Sequence, residues 1–265
     1  MQQAEDFRDE TDALAAILQP LSDAEFDQPT LFKSWTIDDV IGHLHMFNVA
    51  AAKSLESDAA FAEFFAPIGQ GMAKGISLRE LQYPWLAGLR GRALMEEWVR
   101  TAHATADDFA AADPKKRLKW AGPDMSALSS VTARLMETWA HGQEVFDLLG
   151  QTRIEHERVR SIAHLGVATI GWTFVNRGHE VPTPAPFVQL TGPSGALWEW
   201  GEAQSDNRVV GTAVEFAQVV CQTRNVADTA LQTTGPVAAR WMAMAQCFAG
   251  PPEDPPASGA RHRRR

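Results

Sequence analysis

The chain has 265 residues, 45% of them hydrophobic, with a net charge of -9 and an isoelectric point near 5.4. That composition supports one large core or two modest domains. An acidic chain without concentrated Lys and Arg argues against nucleic acid as the main partner, and no apolar run reaches the length of a membrane span.

The opening stretch, "MQQAEDFRDETDALAAILQPL", is acidic and amphipathic. It has neither a basic leader region nor an apolar one, so no signal peptide is expected. Leu14, Ala15, Ile17 and Leu18, spaced among acidic residues, predict a helix over 4–19. "QPLSDAEFDQPT" at 19–30 reads as a proline-bearing turn. The next helix has a marked start. Thr36 suits the N-cap, Asp39 the capping-box position, and Trp35 with Val40 the hydrophobic staple, while Asp38 and Asp39 complement the helix dipole. It runs through Ile41, Leu44 and Phe47 and past Ala51.

Further helices are predicted over about 88–111, 126–149 and 155–177, the second of them closed by Gly150 at a C′ position. Long amphipathic segments with short polar connections predict an antiparallel helix bundle. After Gly178 the texture changes. "HEVPTPAP" reads as a linker, "FVQLTGPSGALWEWG" at 187–201 as a β-hairpin, and "NRVVGT" as a third strand. "AVEFAQVVCQT" and "PVAARWMAMAQCFAG" read as helices. The predicted organisation is a helical bundle over 1–178, a small α+β domain over 179–250, and a disordered basic tail over 251–265 that ends in "RHRRR". Cys221 and Cys247 form no CxxC pair and lie in segments that read as buried helix. Neither a disulfide framework nor a Cys-based zinc site is expected, and a cytoplasmic location fits.

Chemistry is concentrated in the histidines. Glu137 and His141, four residues apart on one helix, can point at one ion. Two imidazoles and one carboxylate suit zinc, iron or another first-row divalent metal and leave coordination positions open. His43 is the better third ligand, since it lies beside the apolar row Ile41, Leu44, Phe47. His45 is about 200° further round the helix and cannot easily face the same ion. Glu-x-x-x-His also occurs by chance as an ordinary polar pair, and the spacing alone leaves both readings open.

The order of the motifs is more specific. "SWTIDDVIGHLHMFN" resembles the opening motif of the DinB-like, mycothiol-dependent maleylpyruvate isomerase superfamily: a Trp-Thr helix start with a histidine eight residues after the tryptophan, here Trp35, Thr36 and His43. "ARLMETWAHGQEVFDLLG" resembles its second motif, here Glu137, His141, Gly142 and Asp147. "VVGTAVEFAQVVCQTRN" and "TTGPVAARWMAMAQCFAG" resemble its C-terminal domain. The resemblance implies a mainly α chain with a DinB-type four-helix bundle followed by a small α+β C-terminal domain that closes over the site. It implies one divalent metal, commonly zinc, held by His43, Glu137 and His141, and a functional C-terminal arginine matched here by Arg224. Thr223 stands where the family usually has glycine.

The function implied is a metal- and thiol-dependent isomerase or S-transferase acting on a small unsaturated acid or related electrophile, with mycothiol or glutathione as the thiol. The chain would be a monomer or homodimer, of a metal-binding branch of the superfamily. The segment 64–85, inserted between the second and third helices, sets its pocket apart. A non-catalytic ligand-binding module and a metal-dependent hydrolase are the alternatives compatible with the same ligands.

Overall fold

The computed structural model describes residues 1–263. Two compact units divide between Leu149 and Gly150.

The first unit begins with α1, Gln2–Leu18, and a 3-10 turn, Asp23–Asp27. Then come α2, Ile37–Glu56, α3, Asp58–Ala73, α4, Leu78–Leu86, and α5, Gly91–Ala111. Two short paired strands, β1, Arg117–Leu118, and β2, Met125–Ser126, lead into α6, Ala127–Leu148. Helices α1, α2, α5 and α6 pack on one another as a four-helix bundle. Its core holds Leu14, Leu18, Ile41, Leu44, Leu94, Trp98 and Val145, which recur at helical spacing on the buried faces. The staple residues Trp35 and Val40 are part of this core. The 64–85 insertion is the greater part of α3 and α4, both packed on α2.

The second unit opens with α7, Val159–Ala168, and α8, Ile170–Val175. β3, Phe187–Thr191, β4, Leu197–Trp200, and β5, Arg208–Thr212, are followed by α9, Ala213–Val220, then β6, Gln232–Thr234, and α10, Pro236–Met242. The strands form one sheet in the order β4-β3-β5-β6. β3 pairs antiparallel with β4, as the hairpin pattern predicts, and parallel with β5. The fold is mainly α with a small C-terminal sheet, as expected.

Three expectations are corrected. The bundle does not extend to 178: Gly150, at φ +68, ends the chain's path along α6, and α7 and α8 pack on α9 and α10 instead. The proline-rich stretch 179–186 is therefore a loop inside the second unit. The single helix expected over 155–177 is broken at Thr169, whose hydroxyl donates to the carbonyls of Leu165 and Gly166 at 2.8 and 3.2 Å and competes with the helical ladder. Residues 251–263 carry little regular structure but are tied down: Asn225 Nδ2 donates to the Pro256 carbonyl at 2.8 Å, Ser258 Oγ to Asp228 Oδ1 at 2.6 Å, and Arg261 to the Gln222 carbonyl at 2.7 Å. Composition expects disorder there because it does not register backbone acceptors met by distant side chains. Arg264 and Arg265 lie outside the described residues. The two cysteines, which stand apart in sequence, meet in the second unit with their sulfurs 3.6 Å apart, not disulfide-bonded.

Candidate metal centre

Helix α2 is fixed at its start. Thr36 Oγ1 accepts from the Asp39 amide at 3.1 Å, and Asp39 Oδ2 accepts from the Thr36 amide at 2.9 Å, the reciprocal capping box the sequence predicts. Asp39 is also held by α4. Tyr83 Oη donates to Asp39 Oδ1 at 2.8 Å, Arg79 Nη2 lies 2.8 Å from Asp39 Oδ2, and Gln82 Nε2 donates to the Asp39 carbonyl at 3.1 Å. Asp39 thus locks the cap and the inserted helix together. That leaves Asp39 no direct hydrogen bond to His43, one turn further on. Helix α6 starts from its own cap, Ser126 Oγ accepting from the Ser129 amide at 3.1 Å.

These starts bring three side chains together. Glu137 Oε2 lies 3.4 Å from His141 Nε2 and 3.5 Å from His43 Nε2. One candidate ligand atom from each residue falls within 4.8 Å of the others. The carboxylate–imidazole separations are at the long end of hydrogen bonding. They match the spacing of ligand atoms around a tetrahedral ion, about 3.4 Å for metal–ligand bonds of about 2.1 Å.

The electrostatics suit the same reading. Burial pulls the His43 imidazole down to about 4, against the opposing pull of Glu137. Burial works to raise the Glu137 carboxyl, but hydrogen bonding from His141 and His43 and the charge on Arg134 outweigh it and hold the group well below its ordinary value. A neutral imidazole and an ionised carboxylate are the forms that bind a metal. His43 Nδ1 is buried and makes no hydrogen bond, so Nε2 is the ring nitrogen directed at partners.

Aromatic rings wall the cluster. The Trp35 indole lies parallel to the His141 ring at 6.0 Å and edge-on to His43 at 5.4 Å; Phe32 meets His141 at 5.1 Å and Phe47 meets His43 at 4.7 Å. Phe32 and Trp35 are set by a tight turn. Lys33 and Ser34 have φ values of 50 and 56, and the Trp35 amide donates to the Phe32 carbonyl at 2.8 Å. Two consecutive left-handed residues without glycine are strained. Sequence reasoning missed this turn, because nothing in "TLFKSW" carries the usual Asn-Gly signal.

His45 lies on another face of α2. His45 projects from α2 toward α4, its ring 5.1 Å from Trp85, as the helical angle requires. A cavity of about 490 Å³ lies on that side, lined by His45, Trp85, Glu97 and Arg100, and includes none of the three clustered residues. Arg224 belongs to the second unit, just past α9, where Nη1 donates to the Thr223 carbonyl at 2.8 Å; hydrogen bonds from Ser258 and Gly259 lower the nearby Asp228 carboxyl, with a smaller contribution from the Arg224 charge. Sequence reasoning also passed over Arg134, which sits one turn before Glu137 in "ARLMETWAH" and is buried.

The comparisons agree with this architecture. A crystal structure of the mycothiol-dependent maleylpyruvate isomerase, and one of a histidine mutant of it, each superpose with a TM-score of 0.52 over 82% of this chain and 87% of theirs, at 16% identity, and so share the fold. Two Mycobacterium tuberculosis proteins, "Uncharacterized protein Rv0036c" of strain ATCC 25618 / H37Rv and "Uncharacterized protein MT0041" of strain CDC 1551 / Oshkosh, are each 37% identical over 247 residues, 93% of this chain and 95% of theirs. No helix among the described residues is long and apolar enough to cross a membrane. Residues 7–146, which include all three clustered side chains, match the model of the mycothiol maleylpyruvate isomerase N-terminal domain, and the chain belongs to that family.

Proposed function

We propose that the chain is a divalent-metal-dependent enzyme that uses a low-molecular-weight thiol to isomerise, or to conjugate, a small unsaturated acid or related electrophile. The observation that carries this reading is the convergence of His43, Glu137 and His141 at ligand spacing inside an aromatic wall. Zinc suits two imidazoles and a carboxylate, and such a set leaves room for a thiol. A divalent ion bound there would lower the pKa of that thiol and make it a nucleophile at neutral pH.

The chain's own residues supply the rest. Glu137, held ionised, and His43, held neutral, keep the site competent without a prior proton transfer. Phe32, Trp35 and Phe47 lie against the imidazoles and limit the water that reaches them. Family membership and the name of the similar solved enzyme support mycothiol as the thiol.

The test is turnover. Zinc-loaded protein is incubated with mycothiol and a panel of unsaturated acids, with glutathione as a second thiol, and isomerised product or thiol adduct is followed by mass spectrometry. Thiol-dependent product that disappears in Glu137→Gln supports the proposal. Metal retention with no thiol-dependent product from any acid would contradict it and favour a binding module.

A further inference from the structure

Arg134 is the feature of the cluster's surroundings that metal binding does not use. It lies on α6, one turn before Glu137, and is 3% exposed. Its guanidinium carbon lies 5.2 Å from the centre of the Trp120 ring and 5.8 Å from that of Phe47. Phe47 is common to both sites, since its other neighbour is the His43 imidazole at 4.7 Å. Trp120 extends the wall, with Phe47 at 6.2 Å and Phe61 at 5.8 Å. The cation thus packs against two neighbouring aromatic rings, one ring away from the cluster.

Two of its three nitrogens lack an acceptor. Nε and Nη1 are buried and make no hydrogen bond. A guanidinium keeps its charge in proteins and offers five donors. Glu137 interacts with Arg134 through charge alone, and its Oε2 is directed at the two imidazoles. Leaving a buried charge without hydrogen-bonding partners is costly, and replacing it with an apolar side chain of similar volume often raises stability. Aromatic faces offset part of that cost but accept no N–H. Such an arrangement is expected where a ligand brings the missing acceptors, and a carboxylate fits a guanidinium with two parallel hydrogen bonds.

We propose that Arg134 is a substrate-binding residue: it receives a carboxylate of the small acid whose reacting carbons lie at the His43–Glu137–His141 cluster, with Trp120 and Phe47 packed against the guanidinium. The inference rests on the metal reading above, because it places the reacting carbons of the acid beside that cluster. It also gives specificity a cause. An ester or amide of the same acid has no charge to pair with the buried guanidinium, so the site selects the free acid. A divalent ion of charge +2, Glu137 and Arg134 together leave the loaded site positive, which favours an anion further.

The experiment is calorimetric titration of zinc-loaded protein with fumarate, its dimethyl ester and inorganic phosphate as probes, beside Arg134→Met and Glu137→Gln. Melting temperature and zinc content are measured on each. Saturable fumarate binding in wild type is expected, with no binding of the diester. Arg134→Met should keep its zinc, melt at or above the wild-type temperature, and bind fumarate at least tenfold more weakly. A gain in stability coupled to a loss of binding is a signature that a purely structural arginine would not give. Failure of Arg134→Met to fold, fumarate affinity within twofold of wild type, or binding of phosphate alone would each overturn the proposal. Zinc content separates the two ideas. Wild type without zinc that still binds fumarate through Arg134 would sink the metal reading and keep the anion site. Wild type with zinc whose fumarate binding ignores Arg134 would do the reverse.

Discussion

Glu137 and His43 stand 94 residues apart in the chain, and their side chains lie 3.5 Å apart in the fold. The apolar stripes of α2 and α6 produce that approach: Ile41 and Leu44 on α2 and Val145 on α6 are buried in the bundle core, and the faces carrying His43 and Glu137 turn inward with them. The relationship joins the two motifs.

The turn before α2 gives the first prediction. Lys33 and Ser34 both occupy the left-handed region, which Asn and Gly tolerate far better. The double change Lys33→Asn, Ser34→Gly should stabilise the protein by about 1 kcal/mol. Thermal unfolding checks it. Unchanged or lowered stability would show that the turn is not the strained element it looks to be.

Acid stability follows from the buried imidazole. His43 titrates near 4 in the folded chain instead of the ordinary 6.5. Between those values the unfolded chain binds the extra proton and the folded one does not. The stabilising contribution is therefore fully present above 6.5 and is lost as pH falls toward about 4. Its size is at most about 3 kcal/mol. The lowered Glu137 carboxyl acts in the same direction at lower pH still. Chelator-treated protein should lose denaturation midpoint across this window, and His43→Phe should flatten the loss. A midpoint that holds steady from pH 6.5 to 4 would be inconsistent with the buried, neutral imidazole.

The inserted helices depend on one close approach. A side chain at Gly71 on α3 would overlap the Leu81 side chain on α4. Gly71→Ala should cost about 1–3 kcal/mol by forcing the two helices apart. Hydrogen exchange should show the loss in α3 and α4 before the rest of the bundle. Exchange that rises uniformly through α1, α5 and α6 would show that the insertion is not a separately yielding layer.

How much of this is legible in the sequence depends on where each interaction is written. The Thr36–Asp39 cap, the Glu137–His141 spacing and the β3–β4 hairpin are local patterns, so a few adjacent residues announce them. The break at Thr169 is local too, but a threonine in a helix is common and only the direction of its hydroxyl marks it. Other features are contacts between distant segments. That α7 packs on α9 and not in the bundle, that Cys221 meets Cys247, and that Arg134 packs against Trp120 and Phe47 follow from tertiary packing, which composition and periodicity do not encode. The order of the two motifs along the chain is what made the three clustered residues readable ahead of their geometry.

Elemental analysis of gently purified wild type, beside His43→Ala, Glu137→Ala and His141→Ala, tests the central claim most directly. The metal reading predicts about one divalent ion per wild-type chain, with zinc the metal that suits this ligand set, and its loss from each variant while the bundle's helical signal persists. A wild-type chain that holds no stoichiometric ion, or an ion retained by all three variants, would contradict it.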